Sequence, residues 1–233
     1  MSGGRGGRLL PLALLYVCAA VGPVAAHDAP VVEDEFLKGA FAPSFVPPAP
    51  GTYELPVLGT VPALALRDAD GRTISTASLM RGKVGIVSFV YTACADRLGC
   101  PLASAALRRV QERVRAEGLE GHVMLLTISF DVARDTPAQL ARYARAHDAD
   151  PAMWRFLAAP SPRVLDAMLR AYGQDRTPEY DAHGRFTGRY RHVLKVFLVD
   201  TAGRLRNVYS TGFLVPELIV NDVRTVLRPA RRD

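Results

Sequence analysis

Residues 82–110 read GKVGIVSFVYTACADRLGCPLASAALRRV. Val84 to Val90 form a short, nearly unbroken apolar run, the composition of a central strand buried on both faces. From Pro101 the pattern changes: Leu107, Val110 and Val114 recur on one helical face, with Pro suited to the first turn and Gly118 to the stop. The junction holds Cys94, expected at the end of the strand, and Cys100, expected at the start of the helix, with five residues between them. Gly99 gives such a loop the freedom to bring two sulfurs together. Unpaired backbone N–H groups and the positive end of the helix dipole favour a thiolate at Cys100.

The same punctuation continues outward. Upstream, VPALALRDADGRTIST (61–76) alternates around Asp70-Gly71 and predicts a hairpin. Downstream, HVMLLTISFD (122–131) predicts a second buried strand, and DTPAQLARYARAHD (135–148) a helix capped by Asp135 or Thr136. MWRFLAA (153–159) predicts a third strand, and SPRVLDAMLRAYG (161–173) a helix between Ser161 and Gly173. Residues 174–190 are polar, contain glycine and read as an excursion. HVLKVFLVD (192–200), RLRNVYST (204–211) and VPELIVNDVRTVL (215–227) predict a closing hairpin and helix. This order implies an α/β fold: a central mixed sheet, helices on both faces and a closing antiparallel hairpin. A strand, a cysteine-bearing loop and a helix within such a sheet make a thioredoxin-like plan.

The 233 residues suffice for one domain with flanking segments. Residues 1–26 have a basic start, an apolar run broken by Pro and Gly, and Val24-Ala25-Ala26 as a cleavage site, which predicts a signal peptide. The alternative is an uncleaved anchor holding the domain at the inner membrane. Cleavage would remove Cys18 and leave a periplasmic protein with Cys94 and Cys100 alone. Residues 27–54 are Pro-rich and predict an arm or linker, 55–228 the domain, and 229–233 a basic tail. The net charge is +6, but no basic stripe interleaves with aromatics, so nucleic acid is not an expected partner.

Two thiols in an oxidising compartment admit four readings: a structural disulfide between Cys94 and Cys100, a redox-active pair, a zinc site or a copper site. Zinc normally takes four N/S ligands, and no Cys-His cluster completes the set. Two thiolates and one imidazole suit Cu(I) and can hold Cu(II). Of His27, His122, His147, His183 and His192, topology favours His192, because the loop entering its strand faces the cysteine loop. His122 and His147 read as surface or capping residues.

Four segments in this order resemble the SCO/SenC family of copper-binding, thioredoxin-like proteins. They are DADGRTISTASLMRGKVGIVSFVYTAC (68–94), the Cys100-Pro101 helix start, TISFDVARDTPAQLARYA (127–144) and RHVLKVFLVDTAGRL (191–205). The resemblance covers roughly residues 55–227. It implies copper ligation by Cys94, Cys100 and His192, and a role in assembling the binuclear copper site of cytochrome c oxidase or a related respiratory protein. Copper delivery and preparation of the recipient's cysteines are both implied roles. The implied partners are a periplasmic copper-receiving protein, such as an oxidase subunit, and a copper donor or thiol reductase. Such a metallochaperone is not an enzyme in the turnover sense. The alternative is a periplasmic thiol–disulfide oxidoreductase in which Cys94 and Cys100 are the catalytic pair. Asp131 and Asp135 match acidic positions of the family; Asp131 is expected beside the site and Asp135 at a helix cap. The chain departs from the family in having five rather than three residues between its cysteines, so helical i,i+4 placement of the thiols is not expected.

Overall fold

Strand β4 (Val84–Val90) and strand β5 (Val123–Ser129) lie side by side and parallel, every residue of both buried. They are the middle of the sheet in a computed structural model that describes Met1 and residues 41–228. The expected leader, the first part of the expected arm and the basic tail lie outside the described residues. Strand β6 (Trp154–Ala158) continues the parallel run beyond β5. On the other side of β4, β9 (Val196–Val199) and β10 (Arg204–Tyr209) run antiparallel, and β1 (Gly59–Thr60) closes that edge. The upstream hairpin, β2 (Ala65–Asp68) and β3 (Thr73–Ser75), pairs with β6 and closes the opposite edge. The eight strands therefore run β1-β10-β9-β4-β5-β6-β2-β3. A one-turn helix, α1 (Thr76–Leu79), follows β3.

Helices cover both faces. On one lie α2 (Cys100–Ala116), α3 (Pro137–Ala146) and α5 (Pro216–Leu227). The Ser104 and Tyr143 hydroxyls hydrogen-bond at 2.9 Å between α2 and α3, and Tyr143 packs on Phe156 of β6. On the other face lies α4 (Pro162–Tyr172), whose Tyr172 meets Phe89 and Phe197 edge-on. Thr136 caps α3 in a capping box with Gln139; Ser161 caps α4, which ends at Gly173 in the left-handed conformation. The α/β, thioredoxin-like reading of the sequence is thus the fold observed. Among the described residues no helix is long and apolar enough to cross a membrane.

Three local expectations need correction. Asp135 does not cap α3. It is buried, and its carboxylate accepts from the Thr92 and Ser129 hydroxyls and the Thr92 N–H at 2.6, 2.5 and 3.1 Å. Cys94 does not end a strand: β4 stops at Val90. The excursion is ordered as strands β7 (Thr177–Tyr180) and β8 (Phe186–Arg191), a two-stranded sheet separate from the main one. His192 therefore closes this hairpin, and β9 begins only at Val196.

Ahead of β1, residues 45–55 strap down over α5. Phe45 packs against Phe213 with its ring tilted, the Asn221 amide donates to the Pro48 carbonyl at 3.0 Å, and the Gly51 N–H donates to Thr225 at 2.9 Å. The Tyr53 hydroxyl donates to Asp222, a fully buried carboxylate that also accepts from Tyr209 at 2.7 Å and Asn207 at 2.8 Å.

Candidate metal centre

The parallel strands point their C-terminal ends at one end of the sheet, and the loops there bring the thiols and the imidazole together. After Val90 the chain turns at Tyr91, whose carbonyl accepts the Cys94 N–H at 3.2 Å. Asp96 then organises the loop: its carboxylate accepts from the Leu98 N–H at 3.0 Å and its carbonyl from the Gly99 N–H at 3.0 Å. This turn absorbs the added loop length and leaves Leu98 55 % exposed while the cysteines point inward. Cys100 is the first residue of α2, and both cysteines are buried free thiols. The disulfide expected as one state of the pair is not the state described.

His192 arrives from the hairpin. Its Nε2 lies 3.5 Å from the Cys100 Sγ. One donor atom from each of Cys94, Cys100 and His192 fits within 4.8 Å of the others, and among the described residues this is the only such Cys/His/Asp/Glu cluster. Donors sharing one ion at bond lengths of about 2.0–2.3 Å sit roughly 3.5–4.6 Å apart, so the set needs only a small contraction to close on a metal. Two sulfurs and one imidazole, without a carboxylate, are soft ligands for a soft ion.

The electrostatics of the two thiols diverge. The Cys100 thiol donates to Cys94, and this bond, with further ones from His192 and backbone N–H groups, holds Cys94 well below the usual thiol range despite burial. Burial and the adjacent Cys94 charge push Cys100 well above it, so the thiolate expected at the helix start sits on Cys94 instead. The pair thus gives up its first proton readily and keeps its second. A metal ion must displace that second proton to gain both thiolates.

Aromatic rings form the wall behind the imidazole. Phe130 sits 4.8 Å from the His192 ring centroid and Tyr91 6.2 Å, both edge-on. Tyr190 of β8 backs these two rings at 5.6 and 5.4 Å. Asp131, expected beside the site, lies one layer further out: it is 1 % exposed, pairs with Arg134, and accepts a long 3.4 Å contact from the Tyr190 hydroxyl. His183 and His122 are exposed, while His147 follows α3 as its C-terminal cap but is buried. The aromatic wall escaped the sequence reading, because single aromatics from three separate segments carry no period.

The family model described as SCO1/SenC matches residues 60–228. A copper-binding protein of Stutzerimonas stutzeri is 38 % identical over 153 residues, 65 % of this chain and 70 % of that protein. The SCO1 protein homolog of Bacillus subtilis (strain 168) is 28 % identical over 168 residues, 71 % of this chain and 81 % of that protein. Among solved structures, Bradyrhizobium japonicum ScoI with copper bound superposes with a TM-score of 0.59 at 26 % identity, covering 72 % of this chain and all of that one.

Proposed function

This chain belongs to the SCO1/SenC family, and on that footing we propose that it is an exported copper-binding assembly factor whose ligands are Cys94, Cys100 and His192. One observation supports this above all: two thiols from the loop after β4 and an imidazole from a separate hairpin converge within 4.8 Å. Copper is the cargo, held as Cu(I) by two thiolates and the imidazole, with Cu(II) accessible to the same donors. The recipient is a periplasmic protein with thiolates of its own, such as the binuclear copper subunit of cytochrome c oxidase, and a copper donor or thiol reductase prepares the chain for each round.

The burial pattern sets an order for release. Cys100 is inaccessible and Cys94 only 4 % exposed, whereas His192 is partly open to solvent. An incoming thiolate meets the imidazole side first, displaces His192, and then takes the ion from the sulfurs one at a time. Titrating copper into the reduced protein tests the assignment. One equivalent should bind, with a thiolate-to-copper charge-transfer band in the Cu(II) form. Unchanged affinity in Cys94→Ala, Cys100→Ala and His192→Ala would falsify it.

The asymmetric thiols favour one second function, a thiol–disulfide oxidoreductase. The Cys94 thiolate would attack a partner disulfide and expel one partner thiolate. Cys100, losing its proton to that leaving group, would then attack the Cys94 sulfur of the mixed disulfide, releasing the second partner thiol and oxidising the pair. Disulfide exchange with no copper affinity would decide for this alternative.

A further inference from the structure

His192 lacks the usual support of a metal-binding imidazole. Ligating histidines normally donate their second ring nitrogen to a carboxylate or carbonyl, which fixes the ring. Among the described residues Nδ1 has only a 3.4 Å contact, with the carbonyl of its own neighbour, Val193. The hairpin that carries it shares no strand pairing with the main sheet. A cleft of about 570 Å³, lined by Leu169, Gln174, Tyr180, Phe186 and Tyr190 among others, separates the hairpin from α4. Packing therefore does not hold the hairpin on that side.

One of the side chains that bridge the hairpin to the body is a guanidinium. Arg134, in the turn after β5, donates from Nη2 to the Gly188 carbonyl of β8 at 2.6 Å and from Nε to the buried Asp131 carboxylate at 2.5 Å. Its guanidinium lies over the rings of Phe186 at 5.1 Å and Tyr190 at 5.9 Å. Arg176 lies 4.9 Å from the Tyr190 centroid, so two cations grip the ring that backs Phe130 and Tyr91. Gly188 has φ +82°, and a Cβ there would fall 2.4 Å from Arg134 Nη1, so this residue lets the guanidinium reach the strand. The Gln174 amide makes a further tie, donating to the Val193 carbonyl at 3.1 Å, but beyond the imidazole rather than behind it.

We propose that Arg134 is the positioning residue for His192: by clamping Gly188 and Tyr190 to Asp131, it sets the imidazole against Phe130 and within reach of the thiols. Resting on the copper role proposed above, it decides how well the third ligand is presented. The chemistry is that of a planar fork: a lysine keeps the charge but loses the paired hydrogen bonds and the stacking.

The test uses the full-chain protein and two readouts. Without copper, the His192 ring-proton shifts in NMR report the Phe130 ring current. Arg134→Met and Gly188→Ala should each move them toward values of a free imidazole, with Arg134→Lys between. With copper, Arg134→Met should lower Cu(II) affinity by about 10-fold, the scale of losing an outer partner of a metal ligand. It should also weaken the imidazole nitrogen splitting in electron paramagnetic resonance, and should add nothing further in a His192→Ala background. Ring shifts that stay at wild-type values in folded Arg134→Met and Gly188→Ala overturn the proposal, as does an additive copper loss in the double variant. If the shifts move as expected but wild type takes up no copper, the clamp stands and the copper function falls.

Discussion

The two halves of the donor set are built in opposite ways. The thiols belong to the core: Cys100 opens a helix packed on the central sheet, and the loop before it hangs on the buried Asp135 through Thr92. The imidazole belongs to an appendage, a two-stranded hairpin with largely exposed faces, fastened by a few side chains. A site divided this way can keep its affinity in one half and its release in the other. Elements with few buried apolar contacts open locally at low free energy, while core strands open only with the whole fold.

Four perturbations sharpen or break this contrast. The largest acts on the core half through acid. His147 is buried against Tyr143, and burial lowers its imidazole to about 4 from an ordinary 6.5. The unfolded chain binds the proton first, so stability is intact above pH 6.5 and falls as pH drops toward 4, by roughly 3 kcal/mol at that limit. Denaturant melts at stepped pH should show this slope, and His147→Gln should flatten it. Next comes Cys100→Ala, expected to weaken Cu(I) binding by about 100-fold, one ligand's share of a three-donor site. Competition against a chelator of known affinity measures it. Thr92→Val removes a hydroxyl bonded to a buried carboxylate and should cost about 2 kcal/mol of global stability. Amide exchange in residues 186–192 should stay unchanged; accelerated exchange there would mean the halves are not independent. The smallest effect is His192→Ala, expected to weaken Cu(I) by about 10-fold and leave thermal stability at its wild-type value. A loss as large as that for Cys100→Ala would erase the contrast.

The core half was also the legible half. Unbroken Val-rich runs and Pro-opened helices mark buried elements directly, and they carried the succession of strands and helices and both thiols. The hairpin half was read through topology alone. TPEYDAHGRFTGRYR, residues 177–191, has exposed side chains on both faces and so no hydrophobic period to declare a strand. His192 was found because a chain entering β9 must start near the cysteine loop, although the residues between it and Val196 are not strand. Asp135 read as a cap because acids often precede helices; its true partners, Thr92 and Ser129, stand 43 and 6 residues away. The five-residue spacing was the sharpest departure from the family's pattern, and the turn at Asp96 absorbs it.

The strap ahead of β1 adds a matter of orientation. Going toward the N-terminus, its anchor points climb α5 from Thr225 past Asn221 to Phe213, which follows β10 at the same end of the sheet as the thiols. The strap thus spans the domain, from the end of the sheet that carries the site to the opposite end, where β1 pairs with the start of β10.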